Sequence, residues 1–103
     1  MNLGDGEVDW REHTALDVDR RVRALLPWPG VTAPLADGRV QLLSGSPTEA
    51  EPGEPGQITR SDGESVVVAT RDGGYRIDAI RPAGGRAMSP AAFLRGRQRM
   101  ARG

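Results

Sequence analysis

The run Gln57-Ile58-Thr59-Arg60-Ser61-Asp62-Gly63-Glu64-Ser65-Val66-Val67-Val68-Ala69-Thr70 decides the fold class. Three consecutive valines sit in its second half, and β-branched side chains favour extended backbone because a helix restricts their χ1 rotamers. Asp62-Gly63 separates the Ser65–Thr70 segment from Gln57–Arg60, a spacing that predicts a hairpin. Toward the C-terminus, Asp72-Gly73-Gly74 predicts a turn into a strand over Tyr75–Ile80. Toward the N-terminus, Asp37-Gly38 lies between Val31–Leu35 and Arg39–Leu43, a further hairpin signal. Ser44 to Gly56 is dense in Gly, Ser, Pro and Glu and reads as a mobile loop. About five short strands in an open sheet leave edges exposed, so a small closed or nearly closed barrel is expected.

Two helices bracket the strands. Thr14 is placed as an N-cap with Asp17 three residues on, a capping-box arrangement. Val18, Val22, Leu25 and Leu26 follow on one apolar stripe. That stripe runs into Arg23-Ala24-Leu25-Leu26-Pro27-Trp28-Pro29-Gly30. Each proline fixes its own φ and pushes the preceding residue toward extended geometry, so Leu26 and Trp28 leave helical space. Gly30 then frees the chain to turn. Pro82 to Arg86 is another break, after which Ser89 caps a second helix with Pro90 in its first turn. Residues 1–13 read as a polar lead-in anchored by Trp10, and residues 14–103 as the barrel domain.

The chain has 103 residues, enough for one domain. It lacks cysteine, which removes disulfides, thiolate catalysis and thiolate metal sites together. No apolar run approaches the roughly 18 residues of a membrane span, and the N-terminus lacks the pattern of a secretory signal, so a cytoplasmic protein is expected. Net charge is zero, and all 14 cationic residues are arginine. That bias reads either as codon usage in a GC-rich genome or as guanidinium chemistry toward phosphate and carboxylate. The charges are also segregated. Six acids and one base occupy Met1–Asp19, whereas Arg81–Gly103 carries six arginines and no acid.

Val8-Asp9-Trp10, the Arg23–Gly30 corner, Pro55-Gly56-Gln57-Ile58, Val66–Thr70 and Asp72-Gly73-Gly74 fall in a recognisable order. Arg81-Pro82-Ala83-Gly84-Gly85-Arg86-Ala87-Met88 and Phe93-Leu94-Arg95-Gly96 complete it. Nearly the whole chain resembles the C-terminal domain of the formyltransferase family, of which methionyl-tRNA formyltransferase is the best-known member. The resemblance implies an OB-like Greek-key barrel of about five to six strands with an N-terminal and a C-terminal helix. In the family this barrel follows a Rossmann-type catalytic domain that binds 10-formyltetrahydrofolate, and nothing in the present chain corresponds to that domain. An accessory domain without catalysis of its own is therefore implied, partnered by a catalytic domain in cis or in trans. Its expected contribution is to tRNA or acceptor binding, hence to translation initiation. The alternative is a docking domain that completes a separately encoded formyltransferase for a sugar nucleotide or a carrier-bound amino acid and binds no nucleic acid. Two positions depart from the family pattern: Arg81 replaces the usual Gln and Arg86 the usual Lys, keeping or adding positive charge.

Arg81, Arg86, Arg95, Arg97 and Arg99 are the candidate nucleic-acid-binding residues, since guanidinium groups pair with phosphates. The last three also suit the C-terminal end of a helix, where its dipole favours cations. Gly84-Gly85 beside Arg86 reads either as a backbone nest for phosphate or as a plain turn. Trp10, Arg23, Pro27, Trp28, Pro29 and Gly30 are read as interdomain or structural, with Trp10 exposed where a neighbouring domain is missing and Trp28 a core plug or a base-stacking ring. His13 has no second histidine or cysteine to complete a metal site, and no nucleophile–base pair or phosphate loop stands out.

Overall fold

A computed structural model describes residues 7–25, 30–35, 38–49, 53–82 and 84–101, with the backbone alone for 97–101. The chain order is α1 (Ala15–Leu25), β1 (Val31–Leu35), β2 (Gly38–Thr48), β3 (Ile58–Asp62), β4 (Ser65–Ala69), β5 (Gly74–Pro82) and α2 (Pro90–Ala101). The valine run is β4, and all five of its residues are buried. It lies inside a single antiparallel sheet of order β1-β2-β5-β4-β3. Strands β3, β4 and β5 form a meander, and β5 then returns beside β2, which is Greek-key order. The fold is thus mainly β and barrel-like, with one helix at each end of the chain, as the spacing of turns predicts.

The hairpins fall where Asp-Gly pairs predict them. Asp62 pairs Ser65 across the tip formed by Gly63 and Glu64, and Gly63 takes φ +65°. Leu35 pairs Gly38 in the other hairpin, so Gly38 opens the strand rather than sitting in the turn.

The Ser44–Gly56 loop is the main correction. Ser44 to Thr48 continue β2, which therefore runs eleven residues and pairs with β5 as far as Thr48 opposite Gly74. Register shifts at Leu42/Ser44 and Ser44/Gly45 mark a bulge that propensity does not reveal. Gly45 is needed at that bulge. A Cβ there would lie 2.6 Å from Cε2 of Tyr75 and would overlap the Arg76 carbonyl. The small residues that suggest a loop are those that let β2 press against a large ring on β5.

Both helix caps form. The Thr14 hydroxyl accepts from the Asp17 N–H at 3.1 Å, and the Asp17 carboxylate accepts from the Thr14 N–H at 3.2 Å. Those bonds, the Thr14 backbone N–H foremost, hold the Asp17 carboxyl below its ordinary value. A further cap comes from the β4–β5 turn, where Asp72 accepts from the Ala15 N–H at 3.1 Å. Ser89 accepts from the Ala92 N–H at 3.1 Å and donates to Glu64 at 2.8 Å, which ties the start of α2 to the β3–β4 tip.

Val18 and Val22 of α1, Phe93 of α2 and the inward residues of the strands meet in one core. Leu25 packs against it; Leu26 lies outside the described residues. Val8 and Trp10 belong to the same core, so this part of the lead-in is packed onto the barrel. The Val8 N–H donates to the Thr32 carbonyl at 2.8 Å, which covers part of the free edge of β1.

Candidate anion-binding face

The alternation of β1, β2 and β5 sorts their residues onto two faces. Val31, Leu42 and Ile80 share one cross-strand row, and all three are fully buried. One residue along, Thr32 opposes Gln41, and Gln41 opposes Arg81, forming a polar row on the other face. Arg39 lies two residues before Gln41 on that same face, because side chains in a strand alternate with period 2. Arg39 and Arg81 therefore line one groove of about 380 Å³ together with Thr32, Gln41 and Gly84. Gln41 is held from below by Gly30, where φ is +85° and any Cβ would overlap the Gln41 amide.

Arg81 is oriented rather than loose. Its Nε–H donates to the Gly85 carbonyl at 3.2 Å. The Gly85 N–H donates to the Pro82 carbonyl at 2.9 Å, and Gly84 takes φ +71°. The Gly84-Gly85 segment is thus a tight turn with one N–H already used. Past it, Met88 and Ile80 exchange backbone hydrogen bonds of 2.8 and 2.9 Å, laying the chain back along β5. Arg86 is exposed on this turn, and among the described residues no carboxylate pairs with Arg81 or Arg86.

Arg95 is placed differently. It lies 3.4 Å from Glu64 at the β3–β4 tip, on the opposite side of β5 from β2. Glu64 also accepts from Ser89, and this bond first, then the Arg95 charge, holds its carboxyl below the ordinary value. The side chains of Arg97 and Arg99 lie outside the described residues, as do Pro27, Trp28 and Pro29. The plug or stacking role expected of Trp28 therefore also lies outside the described residues.

The remaining candidates have structural surroundings. Trp10 is 4% exposed, which corrects the expectation of an exposed anchor. Its Nε1–H donates to the Pro34 carbonyl at 2.9 Å, and its ring lies against Gly56, where φ is +92°. Arg23 donates to Asp19 at 2.9 Å, and Asp19 also accepts from the buried Tyr75 hydroxyl at 3.3 Å. Burial first, and then the Asp19 carboxylate, push the Tyr75 phenol well above its ordinary value. A second cluster joins Arg76 to Asp62 and Asp78, each at 2.9 Å, with the Ser65 hydroxyl donating to Asp78 at 2.6 Å. Burial opposes ionisation of Asp78, but the Ser65 and Arg76 bonds outweigh it and leave the carboxyl below its ordinary value.

Sequence reasoning missed Arg39 and Gln41. Their signal was available: alternate residues on a strand next to the one carrying Arg81. What it lacked was the β2–β5 register that sets them opposite each other. Glu64 was missed for the same reason, since 31 residues separate it from Arg95. Among the described residues, no three His, Cys, Asp or Glu side chains gather as a metal site would require.

The described residues form a small antiparallel barrel-like domain with two arginines in an outer groove and a closing C-terminal helix. Residues 1–98 match the family model described as formyl transferase, C-terminal domain, and the chain belongs to that family. It is 39% identical over 85 residues to the methionyl-tRNA formyltransferase of Macrococcus caseolyticus, covering 82% of this chain and 27% of that protein. To the methionyl-tRNA formyltransferase of Granulibacter bethesdensis it is 34% identical over 96 residues, covering 93% of this chain and 29% of that protein. The crystal structure of HypX from Aquifex aeolicus in complex with tetrahydrofolic acid superposes with a TM-score of 0.79 at 29% identity, over 85% of this chain and 16% of HypX. The chain thus spans less than a third of the length of these relatives.

Proposed function

We propose that this chain is the accessory domain of a 10-formyltetrahydrofolate-dependent formyltransferase and helps hold a tRNA acceptor in the cytoplasm. The observation that carries the reading is the match to the C-terminal part of methionyl-tRNA formyltransferases, joined to a basic row on the outer face of β2 and β5. The chemistry belongs to a catalytic domain, which would hold the folate; this chain supplies affinity and orientation. Phosphate contacts from arginine position an RNA without reading its sequence.

Titration of labelled tRNA against the purified chain tests the reading. Weak binding is expected, with a log–log salt slope of roughly −2 to −5 for three to five phosphate contacts. The chain alone is expected to transfer no formyl group from 10-formyltetrahydrofolate. Absence of salt-sensitive binding at high micromolar protein would favour a docking domain that completes a separate catalytic chain.

A further inference from the structure

The outer face of β2 and β5 holds a specific pair of arginines, and we propose that Arg39 and Arg81 form a two-point site for phosphoryl groups, with Glu7 as its internal competitor. The inference deepens the acceptor-binding reading and rests on it for the source of the phosphate, an RNA backbone rather than a free nucleotide.

Arg39 and Arg81 stand diagonally across an antiparallel pair, about 7–8 Å apart, through the Gln41–Arg81 register. That separation lets two guanidinium groups converge on one phosphate or hold two successive ones. Among the described residues no carboxylate lines their shared groove; the other polar side chains described there are the Thr32 hydroxyl and the Gln41 amide. The Gln41 amide, opposite Arg81 and two residues from Arg39, adds a neutral donor beside the two cations, which suits an oxyanion. Because Arg81 is tied through Nε to Gly85, its terminal nitrogens are directed with less rotamer entropy left to lose. Arg95, by contrast, does not line this groove, and its partner Glu64 is further fixed by the Ser89 hydroxyl, so it is the weaker contributor to anion binding.

Glu7 enters from the neighbouring groove along the lead-in and lies 3.4 Å from Arg39. Both side chains are more than half exposed, so the pair is weak and separable. A phosphate arriving at Arg39 replaces Glu7, and Glu7 thereby lowers the affinity of the site by a modest factor.

The test measures the intact chain against tRNA and, separately, against inorganic pyrophosphate by ¹⁵N chemical shifts of the arginine Nε–H groups. Arg39→Gln with Arg81→Gln should reduce the tRNA salt slope by roughly 1.4–1.8, the loss of two contacts. The same double variant should abolish the pyrophosphate response. Glu7→Gln should raise the affinity for both, and Arg71→Gln on the β4–β5 turn should change neither. Thermal melts confirm that the exposed substitutions leave the fold intact. If tRNA binds and the double variant leaves affinity and slope unchanged, the site is wrong and the acceptor reading stands. Pyrophosphate shifts at Arg39 and Arg81 without any tRNA binding would keep a phosphoryl site and overturn RNA as its source. Loss of neither response in the double variant, or no response in the wild type, overturns the proposal.

Discussion

Removing the Trp10 ring separates a lead-in that belongs to the fold from one that merely precedes it. The indole is 4% exposed and packs with Val8 against the barrel. A buried tryptophan removes roughly 150–250 Å² from water, so at about 25 cal/mol per Å² its burial is worth on the order of 4–6 kcal/mol as an upper bound. Trp10→Ala should therefore cost about 3–5 kcal/mol. Trp10→Phe keeps most of the apolar area but loses the Nε1–H bond to Pro34, so about 1–2 kcal/mol is expected. Pro34 is itself exposed, which allows water to replace the lost donor and keeps that figure low. Urea unfolding followed by far-ultraviolet circular dichroism reads both variants without relying on the fluorescence that the substitution removes. For a domain whose total stability is of order 5–15 kcal/mol, the alanine variant approaches unfolding and the phenylalanine variant stays folded. A midpoint change equivalent to less than about 1 kcal/mol for Trp10→Ala, at unchanged m, would refute the argument.

Gly45→Ala is expected to cost about 1–3 kcal/mol, because the added Cβ must displace the Tyr75 ring or the Arg76 carbonyl; a thermal melt equal to wild type would mean that the bulge relaxes freely. Acid should destabilise the domain through its carboxylates. The carboxyls of Asp17, Glu64 and Asp78 are all held below their ordinary values of 3.8, 4.5 and 3.8 in the folded chain. Their stabilisation is thus complete above the ordinary carboxylate range and lost as pH falls through the lower folded values. Melting temperature should stay level from pH 7 toward that range and drop below it. Asp78→Asn should lower stability at neutral pH and narrow the acid drop, and an unchanged drop in that variant would exclude Asp78 as a contributor.

The sequence by itself determined the elements whose causes are local. A valine run becomes a strand because of β-branching, Asp62-Gly63 becomes a hairpin tip because glycine accepts positive φ, and Thr14 and Ser89 cap helices through bonds spanning three residues. The order of the family landmarks was legible for the same reason. Only the tertiary structure decided which residues work together. Ser44 to Thr48 is a strand because Tyr75, thirty residues on from Gly45, requires a glycine beside it. Trp10 is buried because β1 offers the Pro34 carbonyl and the segment before β3 offers Gly56. Arg39 joins Arg81 through the register of β2 on β5, and Arg95 is drawn to Glu64 by the docking of α2 on the β3–β4 tip. Composition announces a basic C-terminal end, but it cannot say which of those charges are already answered by a carboxylate, because that depends on contacts between segments far apart in the chain.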